Sequence, residues 1–141
     1  PLIGDIQENG YSMEEMKMVW ETKKIFEDES IEVNPTCVRV PVFFGHSEAV
    51  HIETKRAITA EQATALLASA PGVKVIDERV GPDFPTPVRD AAGTDPVFVG
   101  RIRKDISTER GLNLWIVSDN VRKGAALNSI QIAEVLIKSL Q

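Results

Sequence analysis

Residues 37–53, CVRVPVFFGHSEAVHIE, gather a guanidinium (Arg39), both histidines of the chain (His46 and His51) and its single cysteine (Cys37) within an otherwise apolar, β-branched run. A guanidinium is a planar, two-pronged donor matched to carboxylates. An imidazole changes charge near neutral pH without a large environmental shift, so it can take a proton and return it. Whether Arg39 and His46 can act on one molecule depends on the chain between them. Val38, Val40, Val42 and Phe44 alternate with Arg39, Pro41 and Phe43, which predicts a strand with one buried face and Arg39 on the other. Straight extension would carry His46 roughly 23 Å beyond Arg39 and, because their separation is odd, onto the opposite side. The two can serve one site only if the chain bends. Gly45, His46 and Ser47 offer that bend, and the alternation restarts at Ala49, Val50, His51 and Ile52. The expectation is a strand, a sharp break bearing His46, and a second strand. The plainer alternatives are a surface strand arginine and a structural turn histidine.

The flanking elements supply further charged groups. Ser12 and Glu15 stand at capping-box spacing and predict a helix over about 13–26, with Met16, Val19, Trp20 and Phe26 as its inward stripe. Glu14 and Lys17, three apart, project together near its first turn; from spacing alone they are a solvated ion pair contributing about 0.2 to 0.5 kcal/mol. Asn34-Pro35 breaks the chain before the central stretch. Thr59 with Gln62 then opens a short helix to about residue 69, which Pro71-Gly72 stops. Residues 73–77 read as a short strand. The connection over 79–96, with Pro82, Pro85, Pro87 and Pro96, is long enough to suggest an interface loop. Strands are expected over 97–107 and 112–117, joined through Glu109-Arg110-Gly111. A last helix runs over about 121–140 with Asp119 or Asn120 as its cap. Its first turns contain Gly124-Ala125-Ala126, small enough for a second helix or a ligand to approach the backbone closely.

Composition excludes several classes. The chain has 141 residues, 43% of them hydrophobic, with a net charge of −5, enough for one domain with a real core. No apolar run approaches the roughly 20 residues that cross a bilayer. The opening PLIGDIQENG has neither the basic nor the apolar region of a signal peptide, so a cytoplasmic protein is expected. One cysteine excludes an internal disulfide, and with two histidines it is too little for a His/Cys metal cage, so no metal is expected. The acidic balance, with basic residues scattered among acids, argues against nucleic acid as the main partner. The chain begins at Pro1 without Met, as a piece of a longer protein would.

Three motifs, EEMKMVWETKKI, VRVPVFFGHSEAVHIE and DNVRKGAALNSIQIAE, occur in that order. Together they resemble the carboxy-terminal part of the aspartate-β-semialdehyde dehydrogenase family over essentially the whole chain. The resemblance implies an α+β fold, with a mostly antiparallel or mixed sheet and helices on one face, of the glyceraldehyde-3-phosphate dehydrogenase carboxy-terminal type. Residues 1–141 would form a catalytic and dimerisation domain, with helix 121–140 packing toward an amino-terminal nucleotide-binding domain. The implied reaction reversibly converts L-aspartyl 4-phosphate and NADPH to L-aspartate 4-semialdehyde, phosphate and NADP, on the route to lysine, threonine, methionine and isoleucine. Taken one position at a time, the resemblance makes Arg39 the holder of the substrate α-carboxylate and His46 the general acid/base. Glu14 would meet the substrate ammonium, Lys17 the phosphate, and Asn120 the NADP. The family's nucleophilic cysteine, its glutamine partner and its glycine-rich phosphate loop would lie upstream, so the chain alone is expected to be inactive. Cys37 matches no nucleophile motif and is expected to be a small buried side chain; His51 is expected to be packed or solvated. A homodimer is expected. Two other classes remain open to the residues themselves: a regulatory domain binding an amino acid at a dimer interface, which would bind a free amino acid alone, and a purely structural dimerisation module, which would bind none.

Overall fold

Ser12 and Thr59 each precede by three residues a side chain that reaches back, and both open helices. The computed structural model describes residues 2–78 and 83–140, in two units, Pro1–Pro41 and Val42–Gln141. In the first unit α1 (Met13–Phe26) carries both bonds of its capping box, and Glu27 ends it in the left-handed region at φ 51°. The expected inward stripe is only half realised. Met16 and Val19 are half-buried, but Trp20 and Phe26 are 52% and 69% exposed, and the helix has no buried residue. Periodicity marks the face that would gain from burial; it does not supply the surface that covers it.

The expected strand through Val38 to Phe44 does not form. Residues 31–45 adopt no regular structure, and Val38, Val40, Val42 and Phe44 are all exposed. Alternation is a preference for a pleated, half-buried surface, and among the described residues no strand pairs with this run to make one.

In the second unit β1 (His46–Glu53), β2 (Val73–Val75), β3 (Val97–Lys104) and β4 (Gly111–Ser118) form one sheet in the order β1-β4-β3-β2. The β1-β4 and β4-β3 pairs are antiparallel and β3-β2 is parallel, with α2 (Ala60–Ser69) preceding β2. The α+β class and the mixed sheet hold. Ala60 and Ala63 let α2 lie close on one face, packing with Val99, Ile102, Leu112 and Leu114. On the other face Phe98 and Val117 pack with Ala91. Burying a side chain such as Leu112 contributes about 1.5 to 3 kcal/mol.

Ala91 belongs to the long connection, which is more structured than its proline content suggests. Residues 79–82 lie outside the described residues, but Pro87–Ala91 form one π-helical turn. Pro85 is buried, and its carbonyl accepts from the Trp115 indole N–H at 2.8 Å. This part of the expected interface loop therefore belongs to the chain's own core. The last segment starts as a π-helical turn, Arg122–Ala126, and continues as α3 (Leu127–Ser139), which has no buried residue. Among the described residues, no helix is long and apolar enough to cross a membrane.

Candidate functional site

Glu14, Lys17 and Arg39 lie in the first unit. The capping box fixes the first turn of α1: Glu15 N–H donates to Ser12 Oγ at 3.3 Å, and Ser12 N–H donates to Glu15 Oε2 at 2.7 Å. That turn brings Lys17 Nζ to 3.1 Å from Glu14 Oε1, with the two side chains 47% and 41% exposed. Such an exposed pair is worth about 0 to 1 kcal/mol, so either head can be drawn off by a competing charge at little cost. Arg39 is exposed on irregular backbone. Two residues earlier, Cys37 N–H donates to Glu15 Oε1 at 2.8 Å, which ties the Arg39 segment to the α1 turn. These bonds from the Ser12 and then the Cys37 amides hold the Glu15 carboxyl below its ordinary pKa. Cys37 itself is half-buried rather than buried, with Sγ 3.4 Å from Met18 Sδ.

His46 and Asn120 lie in the second unit. The bend comes at Gly45, whose φ of +88° is costly for any residue with a Cβ. A Cβ there would stand 2.6 Å from Pro87 Cβ, so the π-helical turn and the break are fitted to each other. His46 is then the first residue of β1, one place past the break. Its Nε2 lies 2.9 Å from Glu48 Oε1 on the same face of the strand, with the imidazole about half exposed. The hydrogen bond to Glu48 raises the His46 pKa above its ordinary value, against an opposing contribution from partial burial. His51 is not simply solvated: its Nε2 is 2.8 Å from Asp105 Oδ2. Asp105 also accepts from the Thr108 amide and from Asn113 Nδ2, and the connection between β3 and β4 closes around it.

Neither candidate is the cap residue of the π-helical turn, which is Val121 without a side-chain cap bond, but Asp119 collects the amides around it. Its Oδ1 accepts from Val121 N–H and Arg122 N–H at 2.9 and 3.0 Å, while Oδ2 accepts from Gly93 N–H at 2.8 Å. Asn120 is left exposed beside it. Gly124, Ala125 and Ala126 are exposed too, and the atom nearest a Cβ on Gly124 would be Asn120 Cβ at 3.9 Å. The backbone there is open to a ligand or to a second protein surface.

Four residues outside the expected set organise these groups. Glu48 was findable from the two-residue strand period that puts it beside His46. Asp105 was findable from Asp105-Ile106-Ser107-Thr108, an Asx-turn signal. The capping role of Glu15 is plain in the sequence, but its second bond is not, because no local pattern reports a contact 22 residues away. Asp77 likewise holds a β3 bulge from a distance, accepting from Arg101 N–H and Ile102 N–H at 2.8 and 3.1 Å.

Residues 1–123 match the family model of the semialdehyde dehydrogenase dimerisation domain. The chain is 62% identical over 138 residues to aspartate-semialdehyde dehydrogenase from a Shewanella species, covering 98% of this chain and 40% of that protein. It is 52% identical over 139 residues to the Bacillus subtilis protein of the same name, with the same two coverages. A crystal structure of Vibrio cholerae aspartate semialdehyde dehydrogenase II complexed with ASA superposes with a TM-score of 0.93 at 60% identity, again over 98% of this chain and 40% of the other. The chain thus spans about 40% of the length of the curated relatives it matches.

Proposed function

Because the chain belongs to the semialdehyde dehydrogenase dimerisation-domain family, we propose that it is the carboxy-terminal catalytic and dimerisation part of an enzyme that interconverts L-aspartyl 4-phosphate and L-aspartate 4-semialdehyde. Phosphate and NADP are the other products in the reductive direction. The observation that carries this reading is the 60% identity across nearly the whole chain to a protein crystallised with ASA, with a TM-score of 0.93. We place the enzyme in the cytoplasm, in the biosynthesis of lysine, threonine, methionine and isoleucine, as a homodimer.

Each group has the chemistry its task requires. Arg39 presents a fork that can hold the α-carboxylate through two parallel N–H···O bonds. Glu14 offers the substrate ammonium a carboxylate, and Lys17 offers the phosphate a compact charge. Their mutual ion pair keeps both heads ready and is weak enough to yield to substrate. His46 moves the protons. A neutral imidazole carries one N–H and one lone pair, and donation from Nε2 to Glu48 leaves Nδ1 as the acceptor. In the reductive direction Nδ1 would take the proton of a nucleophilic thiol supplied by the rest of the enzyme, the thiolate would displace phosphate from the acyl carbon, and His46 would return the proton to the sulfur when the reduced acyl group leaves it as the aldehyde. A nicotinamide, when bound, would supply the hydride. Asn120 and the open Gly124-Ala125-Ala126 backbone fit a contact with part of NADP, whereas no glycine-rich phosphate loop occurs in the sequence. In this reading the nucleotide site proper is supplied by the amino-terminal domain that the family resemblance implies.

The test is a hybrid in which this chain replaces the matching part of the Vibrio cholerae enzyme. The hybrid is expected to oxidise aspartate semialdehyde with NADP and phosphate, and the 141-residue chain alone to show no turnover. A folded, dimeric hybrid without activity would overturn the reading. So would turnover by the chain alone that Cys37→Ser abolishes.

A further inference from the structure

Glu15 spends its two carboxylate oxygens on two different segments. Oε2 closes the capping box of α1 on Ser12 N–H, and Oε1 accepts from Cys37 N–H at 2.8 Å. Two other contacts reach the same stretch: the Tyr11 hydroxyl with Asn34 Oδ1 at 3.0 Å, and Cys37 Sγ with Met18 Sδ at 3.4 Å. Arg39 follows Cys37 by two residues on backbone that belongs to neither helix nor strand. Its course is therefore set by side-chain ties, and the Glu15 bond to Cys37 holds the main chain itself. The α1 turn at the other end of that tie carries Glu14 and Lys17.

We infer that Glu15 is a positioning residue for Arg39: by anchoring the Cys37 amide to the first turn of α1, it sets where the guanidinium fork meets the substrate carboxylate. The inference rests on the reading of Arg39 given under the proposed function. A carboxylate suits the task because it offers two charge-assisted acceptors to two amide donors at once. Glutamine has one acceptor oxygen. If it keeps the capping bond, its NH₂ faces the Cys37 N–H, donor against donor.

The experiment compares Glu15→Gln, Ser12→Ala and Arg39→Ala in the hybrid enzyme, reading Tm, kcat and the KM for aspartate semialdehyde. Ser12→Ala removes half the capping box and leaves the Cys37 tie, so it is expected to lower Tm and leave KM unchanged. Glu15→Gln is expected to raise KM about tenfold while kcat changes far less, since a carboxylate contact made equally in the bound substrate and the transition state shows its loss in KM. Arg39→Ala is expected to raise KM at least as much. If Arg39→Ala raises KM and Glu15→Gln does not exceed Ser12→Ala, the inference is overturned and the role of Arg39 stands. If Arg39→Ala leaves KM unchanged, the role of Arg39 falls first. Should Glu15→Gln fail to fold, Cys37→Pro removes the N–H donor with Glu15 and its cap intact; an unchanged KM there would also overturn the inference.

Discussion

Replacing Gly45 by alanine tests the joint that places His46 at the head of β1. Two costs add. The first is backbone: Gly45 sits at φ +88°, and an L-residue held in the left-handed region costs about 1 to 2 kcal/mol. The second is steric. The new methyl would stand 2.6 Å from Pro87 Cβ and 2.9 Å from its carbonyl oxygen, whereas carbon pairs settle at about 3.5 to 4.0 Å. Overpacking of that kind costs typically about 1 to 3 kcal/mol, so the total is about 2 to 5 kcal/mol. Gly72→Ala is the matched control, because Gly72 has φ +73° and nothing within 4 Å of an added Cβ; it should lose only the backbone part. Urea unfolding followed by fluorescence of Trp115 in a Trp20→Phe background reads the difference, and with a slope of about 1 to 3 kcal/mol per molar the two midpoints should separate by roughly 1 M. In the hybrid enzyme, relief of the clash would shift His46, and a displacement near 1 Å can lower kcat by about 10²-fold. Equal midpoints for the two variants would refute the fit between the break and the π-helical turn. The claim that this fit sets the position of His46 would fall with it.

Glu48→Gln removes the charge that raises the His46 pKa, so the limb of the pH–rate profile that rises as His46 loses its proton should move to lower pH; an unmoved limb would count against Glu48. The same raised pKa gives a signed stability effect: the His46–Glu48 pairing stabilises the fold fully below the ordinary histidine value of about 6.5 and is lost as pH rises through the folded value. Urea midpoints should accordingly show the wild type losing its advantage over Glu48→Gln with rising pH. Asp105 has the opposite sign. Hydrogen bonds from Ser107, Thr108 and Asn113 hold its carboxyl well below the ordinary range, so its contribution is present above about pH 3.9 and disappears only as pH falls through the folded value; Asp105→Asn should flatten the acid side of the stability curve. Leu112, 1% exposed, should cost about 2 to 5 kcal/mol as alanine, read by the same urea titration. Sedimentation equilibrium at micromolar concentration should show the homodimer, and a clean monomer would contradict that assembly.

What could be read from the sequence was whatever a short window encodes. Both capping boxes put their helices where expected, because Ser12-Glu15 and Thr59-Gln62 settle the orphan amides within four residues of chain. β3 and β4 followed from β-branched runs around a polar turn. The failure at Val38 to Phe44 has a physical source. Those residues have the pattern of a strand, but a ladder needs a second chain segment at the right distance, and alternation carries no information about one. Trp20 and Phe26 make the same point for α1, and Ile130, Ile132, Val135 and Leu136, all more than half exposed, make it for α3.

The candidate site divides along the same line. Arg39, His46, Glu14, Lys17 and Asn120 came from motif resemblance, which proposes groups suited to meet a substrate or cofactor. The carboxylates that tie distant stretches of backbone are set by distance in space: Glu15 on the Cys37 amide, Asp119 on the Gly93 amide, Asp77 on the β3 bulge. All three use both carboxylate oxygens to collect backbone amides, Glu15 and Asp119 from two separate segments and Asp77 from two neighbouring residues of β3, and the long-range bonds leave no spacing signature. Glu48 is the exception, because on a strand the second neighbour always shares the face. Groups suited to act can thus be proposed from type and motif, while ties between distant stretches of backbone are seen only in the fold. The exposed stripe of α3 fits that division: its residues have the pattern of a buried face, and the sheet of the same unit packs its core from other elements.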